Sequence, residues 1–198
     1  MKNLLRLSAA IITLFLCLNT AQAAPSEWEI DPVHSAVYFD VRHTYATVRG
    51  QFDDFSGKFI FDPENIAASE CNIEVKVNSI NTNIRRRDDH LRSSEFFAVQ
   101  EYPLMTFKTE KIRRVEGNRF ELEGKLTVKD VTKKVAIPFT YYGIKENPLT
   151  PKQLVAGFEA KFTIDRFDYH VGQGKFYEMG VIGKDVDVTI TLEVLRDK

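Results

Sequence analysis

Cysteine is almost missing from this chain: its 198 residues hold two, Cys17 and Cys71. Cys17 lies in an N-terminal apolar run. The bulky Leu16 before it does not suit the small-residue position of a bacterial lipoprotein cleavage site, so no lipidation is expected. A secreted chain left with one cysteine cannot close an internal disulfide, and its stability has to come from packing. No Cys pair, no H-E-x-x-H and no C-x-x-C-H occurs, so zinc and c-type haem have no support and no metal or cofactor is expected. No G-x-S-x-G elbow marks a nucleophile. Neither sign of charge dominates: 27 Lys and Arg stand against 28 Asp and Glu, which gives no basic footprint for nucleic acid. Runs long enough to cross a bilayer as a helix are absent as well. The longest apolar run, Leu7–Leu18, is only about a dozen residues, too short to span with ease.

What the N-terminus does carry is a secretory leader. Lys2 and Arg6 form a basic start, the apolar run follows, and Ala21-Gln22-Ala23 is a small-x-small cleavage pattern. Removing the first 23 of 198 residues leaves 175, enough for one domain with a sizeable core. Loss of Lys2 and Arg6 takes the formal charge from −1 to −3. The expected compartment is a bacterial periplasm, and the expected domain runs from residue 24 to 198.

Most of that domain alternates apolar and polar residues with a period of two, the signature of half-buried strands. The predicted inner sets are Val33, Val37, Phe39 and Val41 in a first strand, Phe55, Phe59 and Phe61 in a second, and Ile73, Val75 and Val77 in a third. Five more follow: Met105, Phe107 and Thr109; Phe120, Leu122, Leu126 and Val128; Val135, Ile137, Phe139 and Tyr141; Phe158, Ala160, Phe162 and Ile164; and Val186 through Val194 at every second position. Turn signals separate them at Asp31-Pro32, Gly117-Asn118 and Lys129-Asp130. Val171–Gly183 reads as a long irregular connection. Eight such strands, dry on one side and wet on the other, suit an antiparallel sheet. They close into a barrel, which removes free edges, or fold as a two-sheet sandwich; alternation alone does not choose.

The break in this pattern is Thr82–Phe97. It does not alternate, carries five charges in succession from Arg85 to Asp89 and ends in Phe96-Phe97. It reads as one short helix lying across the open end of a barrel, with three strands before it and five after it.

Several pieces of the chain together resemble the YceI-like family of secreted polyisoprenoid-binding proteins. They are Trp28-x-Ile30-Asp31-x-x-His34-Ser35; Gly50-x-Phe52-x-x-Phe55-x-Gly57; Ile80-x-Thr82 followed by Arg87-Asp88-x-His90-Leu91-x-Ser93 and Phe96-Phe97; Tyr102-Pro103; and Gly124-x-Leu126-Thr127 with Val131-Thr132-Lys133. The match spans essentially the whole mature chain. Two positions depart from it: relatives often carry glycine in the Lys129-Asp130 turn and at His170. The resemblance implies an all-β fold, an eight-stranded antiparallel lipocalin-like barrel with one short helix capping an end and a long apolar tunnel. It further implies a non-enzymatic protein that stores or ferries an isoprenoid lipid, a polyprenyl chain or a quinone tail, with transient membrane contact. It also allows a homodimer.

If the barrel is hollow, its inner residues become ligand contacts. Those singled out are Val37, Phe39, Val41, Phe59, Phe61, Val75 and Val77, with Phe107, Leu126, Phe139, Phe158 and Phe162 from the later strands. His43 shares their parity and is placed at the inner rim of the first strand. Arg87 and His90, with Arg85 and Arg86, are candidates for a phosphate or pyrophosphate head group, since a helix N-terminus beside arginines suits an anion. The structural alternative has Asp88 favouring the helix dipole and the arginines solvated. Two other functions remain open. A lipid-modifying enzyme would need an acid–base pair in the cavity, with His43 as the one candidate. A stress or interaction protein would have a filled core.

Overall fold

A computed structural model describes residues 27–198; the expected leader, its cleavage after Ala23 and Cys17 lie outside the described residues. The alternating segments form eleven strands in one antiparallel sheet. They are β1 (Glu27–Ile30), β2 (Ala36–His43), β3 (Ala46–Phe52), β4 (Phe55–Ile60), β5 (Glu70–Lys76) and β6 (Ile80–Asn81), then β7 (Leu104–Glu116), β8 (Arg119–Val128), β9 (Val131–Glu146), β10 (Gln153–Asp165) and β11 (Ile182–Asp197). Eight of them close a ring in the order β1-β4-β5-β7-β8-β9-β10-β11. The closure is β1 against β11, through Glu29–Leu195 and Ile30–Val194.

The remaining three strands continue the wall at one end. β2 pairs along β11 from His43–Ile182 to Ala36–Thr191, β3 pairs with β2, and β6 pairs with β3. The eight predicted strands are therefore present, but the second and third are each broken in two, and a short extra strand, β1, precedes the first. The second breaks at Asp53-Asp54 and the third in a 3-10 turn, Val77–Ser79. The two breaks face one another and are stitched together. Asp53 N–H donates to Ser79 O at 3.2 Å, Asp54 N–H to Ser79 Oγ at 3.0 Å and Lys76 N–H to Asp54 O at 2.9 Å.

Two sequence expectations fail at such breaks. The alternation sets Val33 on the inner face with Val37, but the Asp31-Pro32 turn extends to His34 and Val33 points outward, 79 % exposed. It sets Val77 in the third strand, whereas Val77 sits in the 3-10 turn.

Glycine matters where a ring has to lie flat against the neighbouring strand. Gly50 is directly opposite Phe39 across β2–β3, and a Cβ on it would collide with the Phe39 ring. Gly124 does the same for Phe107. The two departures from the family pattern have a backbone cause. Lys129 and His170 both have φ of 54°, the left-handed region where glycine is preferred. Each supports the other: Lys129 Nζ donates to His170 O at 2.6 Å, and His170 Nδ1 lies 3.1 Å from Asp130 Oδ2.

The helix is shorter than the segment that announced it. α1 covers Arg85–Arg92, and the chain then turns through Ser93–Tyr102 before β7. A second, four-residue helix, α2 (Lys175–Glu178), lies in the β10–β11 connection. Strand directions place both helices, the β2–β3 tip at Thr44-Tyr45 and the β8–β9 turn at one end of the barrel. This is called the helical end below. The opposite end carries the β4–β5, β7–β8 and β9–β10 connections.

The core is uneven along the barrel. Towards the opposite end it is filled by Trp28, Phe59, Phe61, Phe120, Phe158 and Val194, with Phe139 and Tyr141 packed on them. Ring centroids there stand 4.9–6.3 Å apart, the range of favourable aromatic pairs. Beneath the helices the packing is carried by Phe52, Val77, Ile80, Phe96, Tyr169 and Val171, with Leu91 and Phe97 shared between them.

Candidate functional site

Between these two packed regions the barrel is hollow. A cavity of about 320 Å³ runs along its interior, a size within the range of about 300–1,000 Å³ for small-ligand sites. Its floor is the aromatic cluster, with Phe59, Phe61, Phe139 and Phe158. Its wall is built from β-branched and aromatic residues of the alternating strands, among them Val37, Phe39, Val41, Val188 and Ile190. Its roof is Leu91, Phe96 and Phe97. The wall is almost entirely apolar. Val37, Phe39, Val41, Phe162, Val188 and Ile190 are only half-buried although they point inward, as expected of side chains facing a void rather than a partner.

Of the fifteen residues singled out from the sequence, fourteen lie on this wall: all except Val77. Val77 is 2 % exposed and packs with Phe52, Val75, Ile80 and Val99 behind it. The sequence reading passed over Val186, Val188, Ile190 and Leu192 of β11, which the same parity rule names, and Phe96-Phe97, which the aromatic pair announced. It also missed Phe52 and Tyr169, which follow from the local break at Asp53 and from the 3-10 turn at Arg166–Tyr169.

The polar wall residues turn their polar atoms to the protein. Thr82 N–H and Oγ donate to Asp88 Oδ1, and Arg87 donates through Nε to Thr82 Oγ at 2.7 Å and through Nη2 to Thr82 O at 2.8 Å. Asp88 is 7 % exposed, so it anchors the entry to α1 rather than merely biasing its dipole. Arg92 donates to Asn78 O and Ile80 O and fastens the other end of α1 to β6. His90 is tied through Nε2 to Glu95 and lies edge-on to Phe96 and Phe176, at 5.0 and 5.6 Å. Arg85 and Arg86 point to solvent. Arg87 and His90 thus stand on the wall with their bonding groups already engaged, while Arg85 and Arg86 are away from it.

Arg166, which the sequence did not single out, is buried on the same wall. It donates to the carbonyls of Val171, Gly172, Ile182 and Gly183, and burial lowers its pKa. It pins both ends of the loop carrying α2. Cys71 also faces the cavity, and burial pushes its thiol up to about 12, so it stays protonated and unreactive at neutral pH.

His43 is the one wall residue that is exposed, and its backbone pairs with Ile182. It marks where the cavity meets the surface at the helical end. It makes no ion pair with any described carboxylate. His34 is elsewhere, in the outer turn, 2.7 Å from Asp31 Oδ2 and 3.9 Å from Glu193 Oε1. These three groups are the one cluster of metal-ligand type among the described residues, and they lie outside the cavity.

A family model described as the YceI-like domain matches residues 28–194. The chain is 34% identical over 200 residues to Protein YceI of Salmonella newport, covering 100% of this chain and 99% of that protein. It is 32% identical over 198 residues to a UPF0312 protein of Pectobacterium atrosepticum, covering 100% and 98%. Among solved structures, Burkholderia cenocepacia BcnA superposes with a TM-score of 0.74 at 24% identity, over 83% of this chain and 99% of that one. A domain from Saccharophagus degradans, described as polyisoprenoid-binding and implicated in plant cell wall breakdown, gives 0.62 at 17%, over 84% and 97%. With a match that runs from the first strand of the barrel to the last, the chain belongs to the YceI-like family.

Proposed function

We propose that this protein binds one isoprenoid lipid, a polyprenyl chain or a quinone tail, in the barrel and stores or ferries it without chemical change through the periplasm. The observation that carries this reading is the cavity itself: long, apolar on nearly every side, closed by an aromatic floor and reaching one exposed wall residue, His43. Such a wall recognises hydrocarbon. Each buried CH₂ contributes about 0.8 kcal/mol, so a five-carbon isoprene unit contributes roughly 4 kcal/mol gross before ordering costs. A tail of a few units therefore binds tightly with no polar contact. The polyisoprenoid-binding description of the Saccharophagus domain supports the choice of isoprenoid over other chains.

An enzyme working in the same cavity would need an acid–base pair facing the ligand, and His43 lacks a carboxylate partner among the described residues. A filled-core interaction protein would not leave inward-facing Val and Phe side chains half-buried around a void. Transient contact with a membrane belongs to the carrier reading, because the ligand has no other reservoir in water.

Native mass spectrometry of the mature protein purified from its own periplasm, followed by organic extraction, tests this. The expected result is a co-purified mass matching a prenyl quinone or polyprenyl phosphate. Phe59→Asp or Phe139→Asp should remove it from protein that still folds. A clean apo mass, with no uptake of added prenyl lipid, would overturn the reading.

A further inference from the structure

Large apolar side chains are exposed around the mouth of the cavity. Tyr45, at the tip of the β2–β3 hairpin, is 90 % exposed, and Met179, just beyond α2, is 70 % exposed. They belong to one ridge. Thr44 N–H donates to Val181 O at 2.9 Å, Val181 N–H donates to Phe176 O at 2.8 Å, and His43 pairs with Ile182. The ridge therefore runs directly beside His43, where the cavity reaches the surface. Tyr177 and Ile84 extend the exposed apolar surface on α2 and ahead of α1.

The same rim carries cations. Arg42 adjoins His43, and Arg85 and Arg86 open α1 with their side chains in solvent. Neither Arg42 nor Arg86 forms an ion pair with a described carboxylate, and Arg85 reaches Asp89 only at 3.8 Å. Glu95 is occupied by His90 and Lys175, Asp88 after Ile84 is buried on Thr82, and Glu178 and Asp89 are the nearest exposed acidic groups in sequence to Met179 and Ile84. An amphipathic aromatic, a flexible methionine and three exposed arginines, of which only Arg85 has a described carboxylate partner, are the composition of an interfacial anchor.

We propose that the helical end of the barrel is a docking face for an anionic phospholipid bilayer. Tyr45 and Met179, with Ile84, enter the boundary between head groups and acyl chains, and Arg42, Arg85 and Arg86 meet lipid phosphates. The geometry puts the cavity mouth against the bilayer, so an apolar tail passes between membrane and barrel without crossing water. This rests on the carrier reading for its purpose but not for its test.

The test uses the mature protein and vesicles of phosphatidylcholine, alone or mixed with phosphatidylglycerol. Wild type should co-sediment with the mixed vesicles, and less so as salt rises. Arg85→Glu with Arg86→Glu should lower binding about fivefold per cation or more. Tyr45→Ser with Met179→Ser should lower binding and slow uptake of geranylgeraniol from vesicles, while the amount taken up from detergent stays at the wild-type level. Tyr142→Ser with Leu149→Ser, which alters exposed apolar residues at the opposite end, should change neither. Wild-type sedimentation by the Tyr45/Met179 variant, or loss confined to the Tyr142/Leu149 variant, overturns the proposal. If wild type takes up no geranylgeraniol even from detergent, the carrier reading fails, and sedimentation alone still decides the docking face.

Discussion

Two phenylalanines on the same strand should respond very differently to truncation. Phe158 and Phe162 both belong to β10 and both face the cavity. Phe158 is 6 % exposed and sits 4.9 Å from Phe59, 5.1 Å from Phe61 and 5.2 Å from Tyr141. Phe→Ala in a packed core costs about 3–5 kcal/mol. One side of the Phe158 ring borders the void, which places Phe158→Ala near the lower end, at about 3 kcal/mol. For a domain of this size, where 1 kcal/mol moves Tm by about 2–4 °C, that is a fall of roughly 6–12 °C. Phe162 is half-buried and is in none of the ring pairs of the floor. Its ring already lacks partner atoms on the cavity side, so Phe162→Ala in ligand-free protein should cost only about 1 kcal/mol, or a few degrees. Delipidated protein, unfolded by urea and by heat, measures both. Repeating the melts after loading with a prenyl lipid should widen the cost at Phe162, because the ligand then supplies the missing contacts. Equal losses at the two positions in delipidated protein would refute the division into a filled floor and a hollow wall.

Other perturbations follow from single features. His34 is held above its ordinary value of 6.5 by its hydrogen bond to Asp31, and Asp31 is held below 3.8 by the same bond. The His34 contribution is complete below 6.5 and lost as pH rises through its folded value. The Asp31 contribution is present above 3.8 and lost as pH falls through its folded value. His34→Asn should therefore lower Tm more at about pH 5 than at about pH 8, and a pH-independent effect would count against the pair. Cys71, a protonated thiol on the cavity wall, should resist a water-soluble thiol reagent at neutral pH until denaturant is added; prompt labelling of native protein would contradict its burial. Lys129→Gly relieves a left-handed backbone at the expense of one exposed hydrogen bond, and urea unfolding should show a gain of about 0.5 kcal/mol. Gly50→Ala, by contrast, drives a Cβ into the Phe39 ring and the Thr82 methyl, and a loss of about 1–3 kcal/mol is expected in the same assay.

The barrel was legible because each long strand repeats with a strict period, and a one-residue slip would turn the whole apolar set outward. That is why Phe107, Leu126, Phe139, Phe158 and Phe162 could be placed from parity alone. Parity fails where the backbone stops being extended, and both misplaced valines mark such points: Val33 in the turn after Asp31 and Val77 in the 3-10 turn. The break at Asp53-Asp54 hid Phe52 for the same reason. The departures at Lys129 and His170 were visible as residues, but their shared left-handed backbone and mutual hydrogen bond join positions 41 apart, and no local pattern carries that.

The polar residues changed meaning most, and the reason bears on what the cavity can recognise. A run such as Arg85-Arg86-Arg87-Asp88 at a helix start invites an anion-binding reading, because sequence shows charge but not its partners. In the fold Thr82, three residues ahead of the helix, takes up Asp88 and Arg87 together, and Arg92 spends donors on the Asn78 and Ile80 carbonyls. Arg166 satisfies four carbonyls of the loop that carries α2. Arg87, Arg92 and Arg166 are thus used to hold the roof in place, and unpaired buried donors, which would have cost the fold several kcal/mol, are avoided. What remains facing the ligand is hydrocarbon. On the carrier reading proposed above, selection among lipids would fall to the shape of the wall and the depth of the aromatic floor, and a polar head group would stay at the mouth, beside His43 and the arginines of the rim.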